Sequence, residues 1–484
     1  MKKKLLLIGI DGMSPILVEK WKKILPNMSK LNLYYSNSVF PPDSIPAWIS
    51  IFTGKNPAEH GVIESIDYLD IQKKEFELDH DTYRGKTFWD KLSQKGKKVC
   101  VINPFLAYPP WKVNGVMISG QVFVDGNSKS FPEKFLEKYP SPALGGIEDF
   151  PKDTTLKEFI YKTKEDSLTL KDYGIRLLKK QDWDLYFITF LTLDRIQHFL
   201  WRYMDKEDRD YPGDNEFYDE IKKMYILFDE IIGEYMINVE KDTKIMIFSD
   251  HGHGRRCQKC FNVNELLRQN GYLKTNSNSK FSPYKFIEKS KNKTLELMHK
   301  YNLTDWIIKI SKFIPNKKSL QKSTYLIDKD NSLVYASDFA GTNPFGGIII
   351  NRKKIKEEGL DYKNIENEII KLLSSFEIDG KNIVTWIKPK KEIMEGKFIG
   401  KLPDLLVQLD EDYGFNWTLF NNVVSVNPTH KKISGGHKQE GILLTNLKID
   451  KGIGIDKYYQ LILDYFDEKK NLISLQKNMR VNEK

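Results

Sequence analysis

Three apolar runs of strand length each end in an aspartate. The runs are LLLIGID, LYFITFLTLD and IMIFSD, and they end at Asp11, Asp194 and Asp250. Runs this apolar are typical of strands buried on both faces, as in parallel sheets. The carboxyl ends of parallel strands meet at one edge of the sheet, which is where ligands bind in open α/β folds. The sequence therefore predicts a buried parallel sheet with three carboxylates at its ligand-binding edge.

Strand-like and helix-like segments alternate along much of the chain. Strands are predicted at residues 5–10, 98–104, 185–193, 245–248, 347–350 and 405–407, and helices at 15–31 and 88–96. Such alternation indicates an α/β fold, in which helices cover both faces of a mainly parallel sheet. We therefore expect a mainly parallel sheet sandwiched by helices.

The chain has 484 residues, too many for one simple core. We expect residues 1–467 to form one main domain with two insertions, at about 121–180 and 275–335, that cap the ligand-binding edge. Residues 468–484 are basic and weakly patterned, which predicts a frayed tail.

The second insertion contains an apolar stripe at helical spacing beside many lysines. Its members are Trp306, Ile307, Ile308, Ile310 and Phe313. Two interpretations stay open: a cap helix packed on the core, or a basic and apolar surface that meets a lipid-linked phosphate or a membrane.

Composition limits the kinds of cellular environment and binding partner that we expect for the chain. The formal net charge of +10 suits an anionic substrate or surface, although the lysines are scattered. Three cysteines imply no disulfide framework, and the pair Cys257 and Cys260 is a weak zinc signal. The apolar runs fall short of the roughly 20 residues that span a membrane. The lysine-rich start lacks a cleavage site and reads as the first strand, so we expect a cytoplasmic protein without specific nucleic-acid binding.

Histidines accompany the strand-ending aspartates. The spacing of Asp194 and His198 places both on one face of a helix. His251 directly follows Asp250, and His437 lies in the glycine-flanked segment SGGHKQEGIL. Mixed carboxylate and imidazole ligation suits zinc or manganese, and six such ligands are enough for two ions. Three roles stay open for His253: a third metal ligand, a residue that contacts a ligand from behind, or a contact to the substrate.

The segment PPDSIPAWISIFTG offers a candidate nucleophile, Ser44. Ser44 is predicted as the N-cap of a helix, with Pro46 in its first turn, and capping is its plain structural role. A hydroxyl at a helix N-terminus also faces a natural anion site, and an adjacent metal ion can turn it into a nucleophile.

These segments resemble the alkaline phosphatase superfamily, in its type I phosphodiesterase/nucleotide pyrophosphatase branch. The resemblance is nearest to a soluble phosphohydrolase/phosphomutase-like group and covers residues 5–443 in the expected order. It is carried by GIDGMSPILVEKW, LPNMSKL, PPDSIPAWISIFTGKNPAEHGV, NPFLAYPPWKVNGVMISG, LDRIQHFLWRYMD, SDHGHG, FNVNELLRQNGYL, GGIIINRK, PDLLV and SGGHKQEGIL.

The resemblance implies a role for each motif residue. It implies two divalent ions, zinc being expected and manganese the alternative, and Ser44 as the nucleophile. It assigns one ion to Asp194, His198 and His437, and the other to Asp11, Ser44, Asp250 and His251.

The chain also departs from its relatives. Nucleotide pyrophosphatases carry an asparagine three positions after the nucleophile, where this chain has Ala47. We expect Asn103 to supply an amide to the phosphate instead, and Trp48 and His253 to contact the substrate. Sulfatases need an arginine where Trp48 stands, so sulfatase activity is disfavoured.

The sequence thus predicts a metal-dependent phosphohydrolase that cleaves a phosphodiester or pyrophosphate-type bond through a phosphoseryl intermediate. A phosphomonoesterase, a phosphomutase or a metal-stabilised binding protein remain alternatives. The expected partner is a phosphorylated small molecule or a lipid-linked phosphate, with peripheral membrane contact left open.

Overall fold

The computed structural model of the chain describes eight parts of it. They are residues 2–63, 82–122, 128–144, 151, 155–276, 326–337, 341–449 and 453–467. Among these residues, no helix combines the length and the apolar content needed to cross a membrane.

The strands of the described residues are numbered in chain order. They are β1 (Leu5–Ile10), β2 (Asn32–Asn37), β3 (Val99–Ile102), β4 (Gly115–Ser119), β5 (Lys129–Phe131), β6 (Leu185–Phe190), β7 (Lys244–Phe248), β8 (Gly252–Arg255), β9 (Lys259–Asn262), β10 (Val334–Ser337), β11 (Phe345–Ile350), β12 (Glu377–Ile378), β13 (Lys381–Asn382), β14 (Val384–Pro389), β15 (Leu405–Leu409), β16 (Tyr413–Asn416), β17 (Val424–Val426), β18 (Gly435–Lys438) and β19 (Glu440–Thr445).

The helices of the same residues are numbered in the same way. They are α1 (Pro15–Lys20), α2 (Ser44–Thr53), α3 (Pro57–His60), α4 (Phe88–Gln94), α5 (Phe135–Lys138), α6 (Leu156–Leu178), α7 (Thr192–Met204), α8 (Glu220–Ile237), α9 (Val263–Gln269), α10 (Arg352–Glu357), α11 (Tyr362–Ser374), α12 (Lys390–Ile393) and α13 (Tyr458–Phe466). Short 3-10 turns lie at Lys22–Ile24, Met28–Lys30, Ile399–Lys401 and Ile455–Lys457.

The first compact unit, residues 1–207, 211–254 and 437–484, is built on an eight-stranded sheet. Its strand order is β2-β19-β7-β1-β6-β3-β4-β5, and the neighbours from β7 to β4 run parallel. Strands β19 and β5 run antiparallel to their neighbours. This sheet confirms the predicted mainly parallel α/β fold.

Strand β1 shows how the two faces of this sheet are filled. All six of its residues are buried. Leu6 and Ile8 belong to one apolar cluster with α6, α7 and α8, whereas Leu5 and Leu7 belong to another with α2, α4 and α13. Successive side chains point to opposite faces of a strand, so a strand covered on both sides is apolar throughout.

The three central strands position the site. Strands β7, β1 and β6 are adjacent and parallel, so their carboxyl ends lie at one edge of the sheet. Asp11, Asp194 and Asp250 follow these ends within a few residues.

The second compact unit, residues 208–210 and 255–436, has its own apolar core and an antiparallel sheet in the order β10-β11-β15-β14. A three-stranded sheet, β16-β9-β17, also lies in it. The strands predicted at 347–350 and 405–407 exist, but they pair with each other here and not in the main sheet. Both are almost fully buried, and burial alone does not reveal which strand is the partner.

The first predicted insertion, at about 121–180, stays a prediction. Within it, helix α6 carries Phe159, Ile160 and Leu170 into an apolar cluster on the main sheet. Of the second predicted insertion, residues 277–325 with the Trp306–Phe313 stripe lie outside the described residues, as does the tail 468–484.

Candidate metal centre

The turn after β1 brings the strand-ending carboxylates together. Gly12 has a φ of 65°, and its amide donates to Asp250 Oδ1 at 3.2 Å. A Cβ atom at this position would lie 2.7 Å from Asp194 Oδ1. Glycine is therefore required by the backbone conformation and by the close approach of Asp194.

Helix α2 begins at Ser44, but its cap is the preceding residue. Asp43 is the N-cap, and its side chain accepts a hydrogen bond from the amide of Ile45 at 3.1 Å. The predicted capping role of Ser44 is therefore wrong. An aspartate one position earlier meets the same need, because a carboxylate is an equally favourable cap. The hydroxyl of Ser44 is left to make other contacts.

Four residues form the first group of candidate ligands, the Asp11 cluster: Asp11, Ser44, Asp250 and His251. Ser44 Oγ lies 3.3 Å from Asp11 Oδ1 and 3.1 Å from His251 Nε2. His251 Nε2 is 3.7 Å from Asp11 Oδ1 and 3.4 Å from Asp250 Oδ2. Asp11, Asp250 and His251 are all buried.

The second group, the Asp194 cluster, contains Asp194, His198 and His437. Asp194 and His198 lie on α7 with their Oδ2 and Nε2 atoms 3.2 Å apart. His437, on β18, places its Nε2 atom 3.1 Å from His198 Nε2 and 3.8 Å from Asp194 Oδ1. The structure therefore brings all seven residues of the expected ligand set into two neighbouring groups.

The separations within both clusters fit metal coordination. Ligand atoms about 2.0–2.1 Å from a tetrahedral ion lie roughly 3.3–3.4 Å from one another. The contacts above span 3.1–3.8 Å. Within the described residues, the buried atom Asp250 Oδ2 has no hydrogen-bond partner, whereas Asp194 Oδ1 has His253 Nδ1 at 3.1 Å. A buried carboxylate oxygen needs such a partner or a cation, so the Asp11 cluster fits a divalent ion, and the separations within the Asp194 cluster fit one as well.

The two clusters adjoin each other. The rings of His251 and His437 stack with centroids 3.9 Å apart and an interplanar angle of 25°. Ligand atoms of Asp194, His251 and His437 all lie within 4.8 Å of one another. Two ions held by these clusters would therefore be close neighbours.

Backbone carbonyls orient two of the imidazoles. His251 Nδ1 is 2.9 Å from the carbonyl of Gly252, and His437 Nδ1 is 3.1 Å from that of Pro42. A carbonyl only accepts hydrogen bonds, so each Nδ1 carries the proton. The lone pair of each Nε2 then faces its cluster, as metal binding requires.

The buried carboxylates also shape the electrostatics of the site. Burial, with repulsion from Asp250 and Asp194, raises the pKa of Asp11 well above its usual range. Burial likewise raises the pKa of Asp250 to about 6. Burial would also raise the pKa of Asp194, but His198 and His253 outweigh it and hold this pKa well below its usual range. A bound cation would remove the repulsion among these three carboxylates.

His253 lies beside Asp194, and ligand atoms of Asp194, His198 and His253 lie within 4.8 Å of one another. His253 is 2% exposed, and its Nδ1 atom is 3.1 Å from Asp194 Oδ1. Its ring lies 4.6 Å from that of His198 and 5.7 Å from that of Trp201. Burial lowers its pKa to about 3, which keeps the ring neutral. Its expected contact with substrate stays a prediction that this burial disfavours.

Trp48 and Asn103 also make contacts within the protein. Trp48 is fully buried, and its indole N–H donates to Asp11 Oδ2 at 2.9 Å. The side-chain amide of Asn103 donates to the carbonyl of Thr189 at 3.0 Å. Trp48 thus orients a candidate ligand, and full burial disfavours the expected substrate contact. The proposed amide contact of Asn103 stays a prediction.

The second unit contains a separate group of Asp208, Asp210 and His430. His430 Nε2 is 2.8 Å from Asp208 Oδ2, an ordinary hydrogen-bond distance that needs no ion. In the same unit, Cys257 and Cys260 are buried thiols that are not joined in a disulfide.

The chain is similar to known proteins both in its sequence and in its fold. A model of the family described as type I phosphodiesterase / nucleotide pyrophosphatase matches residues 5–418. Human ectonucleotide pyrophosphatase/phosphodiesterase family member 1 is 24% identical over 279 residues, which is 54% of this chain and 25% of the relative. Venom phosphodiesterase 2 of Crotalus adamanteus is 29% identical over 90 residues, 18% of this chain and 11% of the relative. The chain thus spans at most a quarter of the length of these relatives.

A solved structure supports the fold. Phosphonoacetate hydrolase from Sinorhizobium meliloti 1021, in complex with phosphonoformate, has a TM-score of 0.54 and 13% identity, covering 96% of this chain and 95% of that one. Members of the matched family are metal-dependent phosphate-ester hydrolases. Because the family match covers most of the sequence, the chain belongs to the type I phosphodiesterase / nucleotide pyrophosphatase family of the alkaline phosphatase superfamily.

Proposed function

We propose that the chain is a metal-dependent phosphohydrolase that cleaves a phosphodiester or pyrophosphate-type bond, with Ser44 as its nucleophile. One observation carries this proposal. Ser44 Oγ lies at the N-terminus of a ten-residue helix, within 3.3 Å of Asp11 Oδ1 and 3.1 Å of His251 Nε2. A hydroxyl among candidate ligands, at a helix end that favours anions, is placed to meet a phosphate group.

The donor set suits two divalent ions. The Asp194 cluster would hold one ion, and the Asp11 cluster the other. Zinc is favoured because imidazole and carboxylate ligands at tetrahedral separations suit it, with manganese as the alternative. When bound, the ions supply positive charge that lowers the pKa of the serine hydroxyl and stabilises the charge on the phosphate oxygens.

The chain's own residues then carry the covalent steps. The Ser44 hydroxyl is directed at Asp11 Oδ1, which accepts its hydrogen bond. After this proton passes to solvent, Oγ forms a bond to phosphorus, and the leaving-group oxygen departs with the electron pair of the broken P–O bond and takes up a proton from solvent. Water then attacks the phosphoserine, and the second P–O cleavage restores Ser44 and releases the phosphorylated product.

A diester is favoured over a monoester as the substrate because the chain belongs to a phosphodiesterase family. A phosphomonoesterase or phosphomutase would use the same serine, and the acceptor of the phosphoryl group would distinguish the mutase. Ala47 is fully buried and carries no amide, so the asparagine contact of nucleotide pyrophosphatases is missing at this position. Nucleotide specificity is therefore not part of the proposal.

A Ser44→Ala variant tests the nucleophile. With bis-p-nitrophenyl phosphate and added zinc or manganese, we expect turnover to fall by at least about 1,000-fold, as for other nucleophile removals. Ser44→Thr should retain part of the activity, because it keeps a hydroxyl. Mass spectrometry of acid-quenched wild-type protein should find phosphate on Ser44.

Ser50→Ala is a matched control on the same helix. The Ser50 hydroxyl bonds to the carbonyl of Pro46 and to His60 Nε2, away from both clusters. Its loss should leave turnover close to wild type. Turnover of Ser44→Ala within about tenfold of wild type would instead mean that water attacks phosphorus directly. A p-nitrophenyl monoester assayed in parallel would decide between the diesterase and monoesterase readings.

A further inference from the structure

A buried glutamine stands between the two helix residues of the Asp194 cluster. Gln197 lies three residues after Asp194 and one before His198 on α7, and it is fully buried. A buried amide is costly unless both its oxygen and its nitrogen are hydrogen-bonded. The partners of Gln197 therefore indicate what holds this helix in place.

The side-chain nitrogen of Gln197 is hydrogen-bonded to the turn that follows β1, and its side-chain oxygen to Tyr225, which contacts the same turn. Gln197 Nε2 donates to the carbonyl of Gly12 at 2.8 Å. Gln197 Oε1 accepts from the hydroxyl of Tyr225 at 2.9 Å, and that hydroxyl accepts from the amide of Ser14 at 2.8 Å. The amide, the phenol and the turn thus form a closed set of hydrogen bonds.

The phenol is suited to this role. Tyr225 is fully buried, and burial raises its pKa, so the hydroxyl stays protonated and remains a donor. Its ring packs edge-on against Trp21 with centroids 5.1 Å apart. The position of the hydroxyl is therefore determined by packing as well as by hydrogen bonds.

The same turn belongs to the other cluster. It contains Asp11, and the amide of Gly12 donates to Asp250 Oδ1. The hydroxyl of Ser249, next to Asp250, donates to the carbonyl of Met13 at 3.1 Å. Gln197 therefore connects the helix of one cluster directly to the turn that orients the carboxylates of the other.

We propose that Gln197, oriented by Tyr225, is a positioning residue that fixes the distance between the two ion sites. This inference rests on the proposed function, because it requires both clusters to bind ions. Phosphoryl transfer at a two-ion site needs ions about 3.5–4 Å apart, so a loosened connection would affect the second ion and the reaction together.

Gln197→Met and Tyr225→Phe test the connection. Methionine keeps the length of the side chain but neither hydrogen bond, and phenylalanine keeps the ring but not the hydroxyl. We expect each variant to bind the second ion about 10- to 100-fold more weakly, the range seen when partners of metal ligands are lost. At saturating Mn²⁺, the electron paramagnetic resonance signal of the coupled ion pair should also change, and kcat should fall more than KM rises.

Tyr186→Phe is the matched control. This buried phenol donates to the carbonyl of Gly174 at 2.6 Å and stands second in β6, at the end of that strand away from the ligand-binding edge. It should lower stability without changing ion affinity or the Mn²⁺ signal. Should Gln197→Met fail to fold, Tyr225→Phe alone decides.

Two outcomes separate the two proposals. If the wild type binds two ions and cleaves the diester, while both variants keep its ion affinity and coupled signal, the positioning role is overturned and the proposed function stands. If the wild type itself binds fewer than two ions, the two-ion function fails and the positioning role fails with it.

Discussion

Replacing Trp48 with phenylalanine isolates one hydrogen bond of the candidate centre. The indole N–H donates to Asp11 Oδ2 at 2.9 Å, and the ring packs against Phe52 and Phe248 at 5.7 and 6.1 Å. Phenylalanine keeps an aromatic ring in this position but leaves Oδ2 without its donor.

Loss of this hydrogen bond should destabilise the ion-bound state more than the ion-free state. Burial and repulsion raise the pKa of Asp11 well above its usual range, so its charged form is unfavourable in the ion-free protein. Ion binding requires the carboxylate, which the indole bond stabilises. Hydrogen bonds to charged groups contribute about 1.5–3 kcal/mol. Since about 1.4 kcal/mol corresponds to a factor of ten, ion affinity should fall roughly 10- to 100-fold.

Trp89→Phe is the control for the change in ring volume. Trp89 is fully buried in the same apolar cluster, and its indole nitrogen has no acceptor among the described residues. Zinc affinity of both variants would be measured by chelator competition, and ion-free stability by urea unfolding. Both should lose some stability, but only Trp48→Phe should lose ion affinity. Equal zinc affinities for the two variants would refute the reasoning.

Three further predictions concern stability and ion content. Burial raises the pKa of Asp250 to about 6, so the folded ion-free protein binds more protons than the unfolded chain, and its free energy of unfolding should fall as pH rises from about 4 through about 6. The stabilisation by added zinc should grow over the same pH range. Urea unfolding at several pH values measures both, and a free energy of unfolding that rises with pH in the ion-free protein would contradict the prediction. A Cβ at Gly252 would lie 1.9 Å from the carbonyl oxygen of Glu440, so Gly252→Ala should cost at least about 1–3 kcal/mol of stability. Gly400→Ala, in open space within the described structure, should change it by less than about 0.5 kcal/mol, and equal melting temperatures would contradict the steric argument. His437→Ala should reduce the ions retained after dialysis from two to one, and elemental analysis that still finds two would remove His437 from the ligand set.

The features that could be predicted from the sequence are those that depend only on local patterns of residues. A strand covered on both faces is apolar at every position, so β1, β6 and β7 are recognisable as runs that stop at a carboxylate. The spacing of Asp194 and His198 places them on one helix face because the helical repeat is local. The fold class and the set of candidate ligands were therefore predictable, with the motifs of the family adding which residues belong together.

Long-range partners were not predictable in this way. Residues 347–350 and 405–407 look like strands of the main sheet, yet they form an antiparallel pair in the second unit. Helix α6 lies in a polar stretch, and its apolar stripe packs on the main sheet. Periodicity shows that a face is buried, but not against which element.

The contacts within the site depend most on tertiary structure. Asp43 caps α2 in place of Ser44, Trp48 donates to Asp11, and Gln197 bonds to Gly12. The sequence predicted Ser44 as the cap and Trp48 as a substrate contact, and it assigned no role to Gln197. Sequence alone determined which chemical groups are available at the edge of the sheet. The folded chain decided which of them meet, because a hydrogen bond depends on distances and angles between segments that lie far apart in the sequence.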